Sequence, residues 1–335
     1  MKRKSNISKG WLLVFLIFFA AAFYKLPYYV SSPGSAEVLE PFVNVENGYQ
    51  EDGAFMLTTV RMGQANIYSY LWGKVADYHN IYKVNQVRME DESDEEYSIR
   101  QLKLMDDSQQ NAILNAYRKA GKDVDIEVDG VYVLRVVDNM PAEGKLKPAD
   151  RIIEVDNQII KSQKFFLDYL SNKKPGDSIE IKINRNKKTF KETIKLKELE
   201  GTNRAGIGIS LVEDRDIKTN PKVEIKAEKI GGPSAGLMFT LEIYNQLTKE
   251  DITKGRKIAG TGTIAEEGTV GPIGGIDQKV VAADKEGAEI FFAPNEKGAK
   301  KSDYQLAVKT AKEIGTDMKI VPVDHFDDAL QYLEK

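Results

Sequence analysis

At 335 residues the chain has room for two or three domains, and with 41% hydrophobic and 30% charged residues it can bury more than one core. The net charge is −3, or −7 once the basic first ten residues are set aside, which gives no electrostatic footprint for nucleic acid. The absence of cysteine removes disulfides, thiol catalysis and cysteine-held metals, and two histidines, His79 and His325, are too few for a histidine-rich metal site.

Residues 1–10 carry Lys2, Arg3, Lys4 and Lys9 and no acid, and read as a cytoplasmic basic tail. Trp11 to Tyr24 follow without a charge, and counting on through Lys25 to Val30 gives twenty residues. A transmembrane signal-anchor over 11–30 fits, with Lys25 snorkelling and Tyr28 and Tyr29 at the interface. A cleaved signal peptide ending near Ala20-Ala21-Ala22 is the alternative. Either reading exports the body, giving a single-pass cell-membrane protein with its body outside in the first case.

Residues 31–36, SSPGSA, read as a linker within an outer N-terminal region, 31–125. Alternation of Phe55, Leu57 and Thr59 with Met56, Thr58 and Val60 predicts a strand over 53–63. Residues 64–87 are aromatic-rich with no clear period. The acidic run 90–97 reads as a solvated loop, and residues 107–120 as an amphipathic helix stopped by Gly121.

Between 126 and 199 strand patterns recur at Val131–Val137, Ile152–Val155, Ile179–Ile183 and Phe190–Leu196, with a helix near Gln163–Leu170. The run from Pro141 through Gly144, Asp150 and Ile152 to Asp156 resembles the turn-and-strand segment of PDZ domains, with Ala149 replacing the usual glycine. In that resemblance Gly130, Val131, Tyr132 and Val133 stand where the family has its carboxylate-binding loop. The family binds extended peptides by adding a strand to a sheet edge, so the resemblance implies a peptide or protein partner bound through its C-terminus. A small β-rich spacer is the plainer reading.

From 200 to 335 strands and helices alternate: Lys222–Ala227, a helix from Ser234 to about Leu247, Lys257–Thr263, a helix near Asp277–Glu286, Ile290–Ala293, Gly298–Ile314, Lys319–Val323 and Phe326–Leu333. That predicts an α/β (α+β) unit with parallel strands.

The densest chemical signal is Glu228-Lys-Ile-Gly-Gly-Pro-Ser-Ala-Gly-Leu237. Glycines and a proline around Ser234 predict a tight strand-to-helix turn that exposes the hydroxyl and converges helix N-terminal amides on one point. Gly232, Ser234 and Ala235 are candidate oxyanion donors. Taken alone the motif also fits a serine N-cap or a phosphate nest. A nucleophilic serine needs a base. His325 reads as a cap and His79 as part of an aromatic loop. Lys279, among Ile276, Val280, Val281, Ala282 and Ala283, can lose its charge by desolvation and act as the base, although a surface lysine on an amphipathic helix is the commoner case.

Gly232-Pro-Ser-Ala-Gly236, followed 45 residues after Ser234 by Lys279 in Pro272-Ile-Gly-Gly-Ile-Asp-Gln-Lys279, resembles the proteolytic domain of Lon proteases over about 205–335. The resemblance implies a Ser234–Lys279 dyad, with Thr261 orienting the lysine. Gly231 departs from ATP-dependent relatives, which often have aspartate there. A fainter echo at 53–63 places the first strands of that domain before the PDZ unit, which becomes an insertion. The whole order is similar to the PDZ-containing Lon-like proteases of Gram-positive bacteria (the YlbL/SepM type). It implies an ATP-independent serine endopeptidase with no metal or cofactor, and rings of such domains admit a homo-oligomer. A non-catalytic membrane-anchored PDZ scaffold is the competing class, and a nucleotide-dependent kinase a weaker one.

Overall fold

The computed structural model describes residues 9–89, 92–199, 201, 204–227 and 230–335. Most of the basic tail, two residues of the acidic run (90 and 91) and the first two residues of the serine motif (228 and 229) lie outside that set.

In chain order the first elements are helix α1 (Lys9–Phe23), strands β1 (Lys25–Val38) and β2 (Ala54–Asn66), helix α2 (Ile67–Gly73), strand β3 (Asn80–Lys83) and helix α3 (Asp94–Lys119). A second group follows: β4 (Val124–Val136), β5 (Arg151–Val155), helix α4 (Gln163–Ser171), β6 (Ser178–Arg185), β7 (Lys188–Lys195) and β8 (Ile209–Thr219). The last group is α5 (Gly236–Leu247), β9 (Lys257–Gly260), α6 (Ile276–Lys285), β10 (Ile290–Pro294), α7 (Asp303–Ile314), β11 (Lys319–Val323) and α8 (Phe326–Glu334).

Two six-stranded sheets result. The first runs β11-β10-β9-β2-β1-β3, with parallel pairing from β11 through to β2 and antiparallel pairing beyond. Residues Ala54–Leu57 of β2 pair with Lys257–Gly260 of β9, some two hundred residues downstream, so one sheet is built from both ends of the chain. Period-two alternation sends Phe55 and Leu57 to a core under α3, α5 and α8, and Met56 to a second core under α6 and α7. The other sheet runs β8-β4-β5-β6-β7, with a two-residue strand on β5, and closes its own core around Ile152, Phe166 and Ile181.

Several expectations are corrected. The span 11–30 is not one helix. α1 ends at Phe23, and Lys25 opens β1, which carries Tyr28, Tyr29 and Val30 into the sheet beside β2 and β3. Tyr29 is 4% exposed, so it is a core residue and not an interfacial one. Among the described residues no helix is long and apolar enough to cross a membrane. Residues 31–36 continue β1 and are no linker. The acidic run opens a helix instead of looping. Ser93 accepts from the Glu96 amide, Glu96 answers with the reciprocal cap, and Asp94, Glu95 and Glu96 sit on the positive end of the dipole. The helix expected over 107–120 is therefore twenty-six residues long. Strand β8, which lies beyond residue 199, pairs along its whole length with β4 and completes the second sheet.

Candidate active site

The turn before α5 is built by what surrounds it. Gly232 takes φ +86, a left-handed conformation that suits glycine. Its amide donates to the Gln101 carbonyl of α3 at 3.0 Å, and the Ser108 hydroxyl of α3 donates to the Pro233 carbonyl at 2.9 Å. At Gly236 a Cβ would come within 2.6 Å of both Ile264 and Ser108, so a side chain there would push the helix start off α3. Ala235 occupies the cap position without a side-chain bond. Ser234 therefore precedes the cap, and its hydroxyl is free for other use.

That hydroxyl accepts a hydrogen bond from Lys279 Nζ at 2.7 Å. Lys279 reaches it from the first turn of α6 and also donates to Thr261 Oγ1 at 2.9 Å. Thr261 follows β9 and donates its own hydroxyl proton to the Ser234 carbonyl at 2.9 Å, and the Gly262 amide donates to the same carbonyl at 2.9 Å. The three residues form a closed triangle held by two sheet strands, since the Thr261 amide also donates to Phe292 of β10.

Lys279 is 2% exposed. Burial disfavours its charged form and pulls its pKa down to about 7, with the Asp303 carboxylate opposing weakly from the start of α7. Asp303 itself accepts from the Ile273 amide at 2.8 Å, which ties α7 to the loop that leads into α6. A serine hydroxyl at hydrogen-bond distance from an amine that is half neutral near pH 7 is an arrangement capable of nucleophilic attack on an acyl carbon.

Among the described residues the amides of Ser234 and Ala235 have no intramolecular partner, whereas that of Gly232 is spent on Gln101. Of the three amides considered from sequence, Gly232 thus drops out as an oxyanion donor. His325 is a cap as expected: its ring accepts from the Asp327 amide at the start of α8. His79 bonds the Asp77 carbonyl. The dyad lies in a cleft of about 1220 Å³ whose walls include Phe42, Val60, Met62, Tyr97 and Ile273. The contributions of Gln101, Ser108 and Asp303 were not foreseen, because nothing local in the sequence marks the contacts that bring α3 to the Ser234 turn from more than a hundred residues away, or Asp303 to Ile273 across thirty.

The PDZ-like loop is also corrected. Gly130–Val133 lie inside β4, where they pair with Leu211–Asp214 of β8 on one side, and Val131 and Tyr132 pair with β5 on the other. Both edges are taken, so no peptide can add there. The outer strands of this sheet are β7 and β8, and on β8 the Glu213 amide donates to Gln163 Oε1 while the Arg215 carbonyl accepts from Gln110 Nε2. A groove of about 650 Å³ runs beside β8, lined by Leu167 and Asp168 of α4, Arg204 and Glu213.

Residues 86–196 match the PDZ domain family, and residues 203–334 match the Lon protease (S16) C-terminal proteolytic domain. Sheet pairing cuts the chain differently, since β8 lies within the second match yet pairs with β4 of the first. The chain is 40% identical over 100 residues to the Lon protease of Campylobacter concisus, covering 30% of this chain and 12% of that protein. It is 34% identical over 129 residues to Lon protease 1 of Myxococcus xanthus, covering 38% and 14%. The chain thus matches only a small fraction of the length of these relatives. A solved PDZ domain of an SdrC-like protein from Listeria monocytogenes is 40% identical, covering 25% of this chain and 88% of that one, with a TM-score of 0.25. The chain combines a PDZ domain with a Lon-type C-terminal proteolytic domain, through which it is a homologue of the Lon proteases.

Proposed function

We propose that this protein is an ATP-independent serine endopeptidase that cleaves peptides and flexible or unfolded segments at the outer face of the cytoplasmic membrane. The observation that carries the reading is the buried Lys279 Nζ, 2.7 Å from Ser234 Oγ, with its pKa drawn to about 7. Neutral Lys279 takes the Ser234 proton as Oγ attacks the scissile carbonyl. The amides of Ser234 and Ala235 hold the oxyanion, and the Lys279 ammonium protonates the leaving amine. Water then enters and gives a proton to Lys279 as its oxygen attacks the acyl carbon, and Lys279 returns that proton to Oγ as the Oγ–carbon bond breaks and the acid leaves. Thr261 keeps the amine aimed at Oγ throughout.

ATP independence is supported by the sequence, which has no Gly-x-x-x-x-Gly-Lys-Ser/Thr run. Without an unfolding motor the substrate must already be extended. The PDZ unit offers an extended peptide the groove between β8 and α4, lined by Leu167, Asp168, Arg204 and Glu213. Membrane attachment is supported by α1, which exposes Trp11, Leu12, Phe15, Leu16, Phe18, Phe19 and Phe23, and outward orientation by the basic residues at its start.

The test is cleavage of casein and of peptides with free C-termini by the full chain in detergent, without nucleotide, read by mass spectrometry. Wild type should cut while Ser234→Ala and Lys279→Ala leave the substrates whole. Equal cleavage by Lys279→Ala would remove the base assignment. Intact substrates in all three samples, including with membrane-derived peptides, would favour a scaffold.

A further inference from the structure

Helix α2 wears its apolar stripe on the outside. Tyr68, Leu71, Trp72 and Val75 follow the i, i+3, i+4, i+7 spacing that marks one helical face, and the Ala76 amide bonds the Trp72 carbonyl, which extends the turn past Gly73. Such a stripe ordinarily faces a core. Here the four residues are 39, 57, 63 and 77% exposed. The orientation is fixed: Gly73 is buried against Val30 and Ile81, and Asn66 and Ser69 form a reciprocal cap at the other end.

The stripe is continuous with α1. The Tyr68 hydroxyl donates to the Phe18 carbonyl at 2.6 Å, the two rings stack, and Asn66 Nδ2 donates to the Ala22 carbonyl at 2.9 Å. α1 itself exposes Trp11, Phe15, Phe18, Phe19 and Phe23. A contiguous apolar surface of that kind needs an apolar medium. At ~1.5 Å per residue the fifteen residues of α1 reach about 22 Å, short of a ~30 Å hydrocarbon layer. A short helix draws the attached body against the bilayer. Tyr and Trp suit the headgroup level, and Lys25 and Lys74 follow the ends of α1 and α2, Lys25 beside Asp94 at 3.7 Å and Lys74 over the Tyr70 ring.

We infer that the Tyr68–Leu71–Trp72–Val75 face docks into the surface of a lipid bilayer beside α1 and holds the protease body flush with it. The inference rests on the membrane-attached reading above. It bears on substrate, because α2 leads into β3, whose Tyr82 lines the cleft. The docked helix therefore sets the cleft beside segments that emerge from the membrane.

Trp11 and Trp72 are the only tryptophans, so each can report alone. The full chain is reconstituted into phosphatidylcholine–phosphatidylglycerol vesicles containing lipid brominated near the glycerol end of its acyl chains. With Trp11→Phe, Trp72 emission should shift to the blue, lose most of its intensity to the bromolipid and resist aqueous iodide. With Trp72→Phe, Trp11 reports α1. Quenching of Trp11 with an unquenched, iodide-accessible Trp72 overturns the docking and leaves membrane attachment standing. Bromolipid quenching of neither tryptophan overturns both. A Trp72 shielded from iodide yet untouched by bromolipid means that protein, such as a second copy, covers the face, which also overturns the docking. Adding Leu71→Glu and Val75→Glu to Trp11→Phe should return Trp72 to iodide, and failure to do so counts against docking through this face.

Discussion

Two buried lysines behave in opposite ways. Lys279 is 2% exposed and Lys103, on α3, is 6% exposed. Burial pulls both pKa values down, but Lys103 Nζ meets Asp106 at 2.6 Å, Asp214 at 3.0 Å and Asp107 at 3.3 Å, and these carboxylates push it well above the ordinary lysine value. Lys279 bonds only two hydroxyls, and the nearest opposing influence is the more distant Asp303. Desolvation alone does not make a base; desolvation without a carboxylate partner does. Lys103 instead joins α3 to β8, and with Arg151 it compensates the buried Asp214, so the helix that clamps the Ser234 turn is riveted to the PDZ sheet.

The linkage has opposite sign at the two sites. The folded pKa of Lys279 lies below its unfolded value, so its burial penalty is full below about pH 7 and is relieved as pH rises towards the ordinary lysine range. The folded pKa of Lys103 lies above its unfolded value. Its contribution is present through neutral pH and is lost only as pH rises through the raised pKa.

The largest expected effect is at the uncompensated lysine. Lys279→Met should lower peptide cleavage by roughly 10³-fold or more, while raising neutral-pH stability by about 1–3 kcal/mol in urea denaturation, since the buried amine disappears. A destabilised variant would contradict the account of its burial. Next, Lys103→Met removes the cation shared by Asp106, Asp107 and Asp214, of which Asp214 keeps Arg151, and should cost roughly 3 kcal/mol. Lys103→Arg should recover much of that, and an unchanged urea midpoint for the methionine variant would mean the network is solvated. Removing a lysine-orienting bond is smaller: Thr261→Val should reduce kcat by roughly 10- to 100-fold. The wild-type kcat/KM should fall away below about pH 7 as Lys279 gains its proton. Giving Lys279 a carboxylate with Thr261→Asp should move that limb to higher pH, making the site resemble Lys103, and an unmoved limb would assign it to another group. Smallest, Ser108→Ala removes one clamp on the Pro233 carbonyl and should cost about 1 kcal/mol of stability with a modest fall in kcat.

The sequence by itself determined the reacting groups and most of the local elements. Ser234 was legible because a tight strand-to-helix turn demands glycine and proline at short range, Lys279 as a candidate base from its apolar neighbours, and Thr261 only through the resemblance to Lon proteolytic domains; the strands at Lys319–Val323 and Ile290–Pro294 were legible because their apolar runs are local. Tertiary structure decided the rest. The Gly232 amide could not be discounted until Gln101 was seen to take it, and the carboxylate-binding role that the PDZ resemblance implied for Gly130–Val133 stood until β8 arrived from eighty residues downstream to pair with them. The apolar run after Trp11 gave no sign that Lys25 would turn it into a sheet strand, because pairing with β2 and β3 offers the backbone of Tyr28–Val30 hydrogen bonds that a helix propensity cannot weigh. The aromatic stretch 64–87 had no readable period for a related reason: α2 faces its stripe outward, and a pattern that points away from the core identifies its partner only once the neighbouring helix is in place.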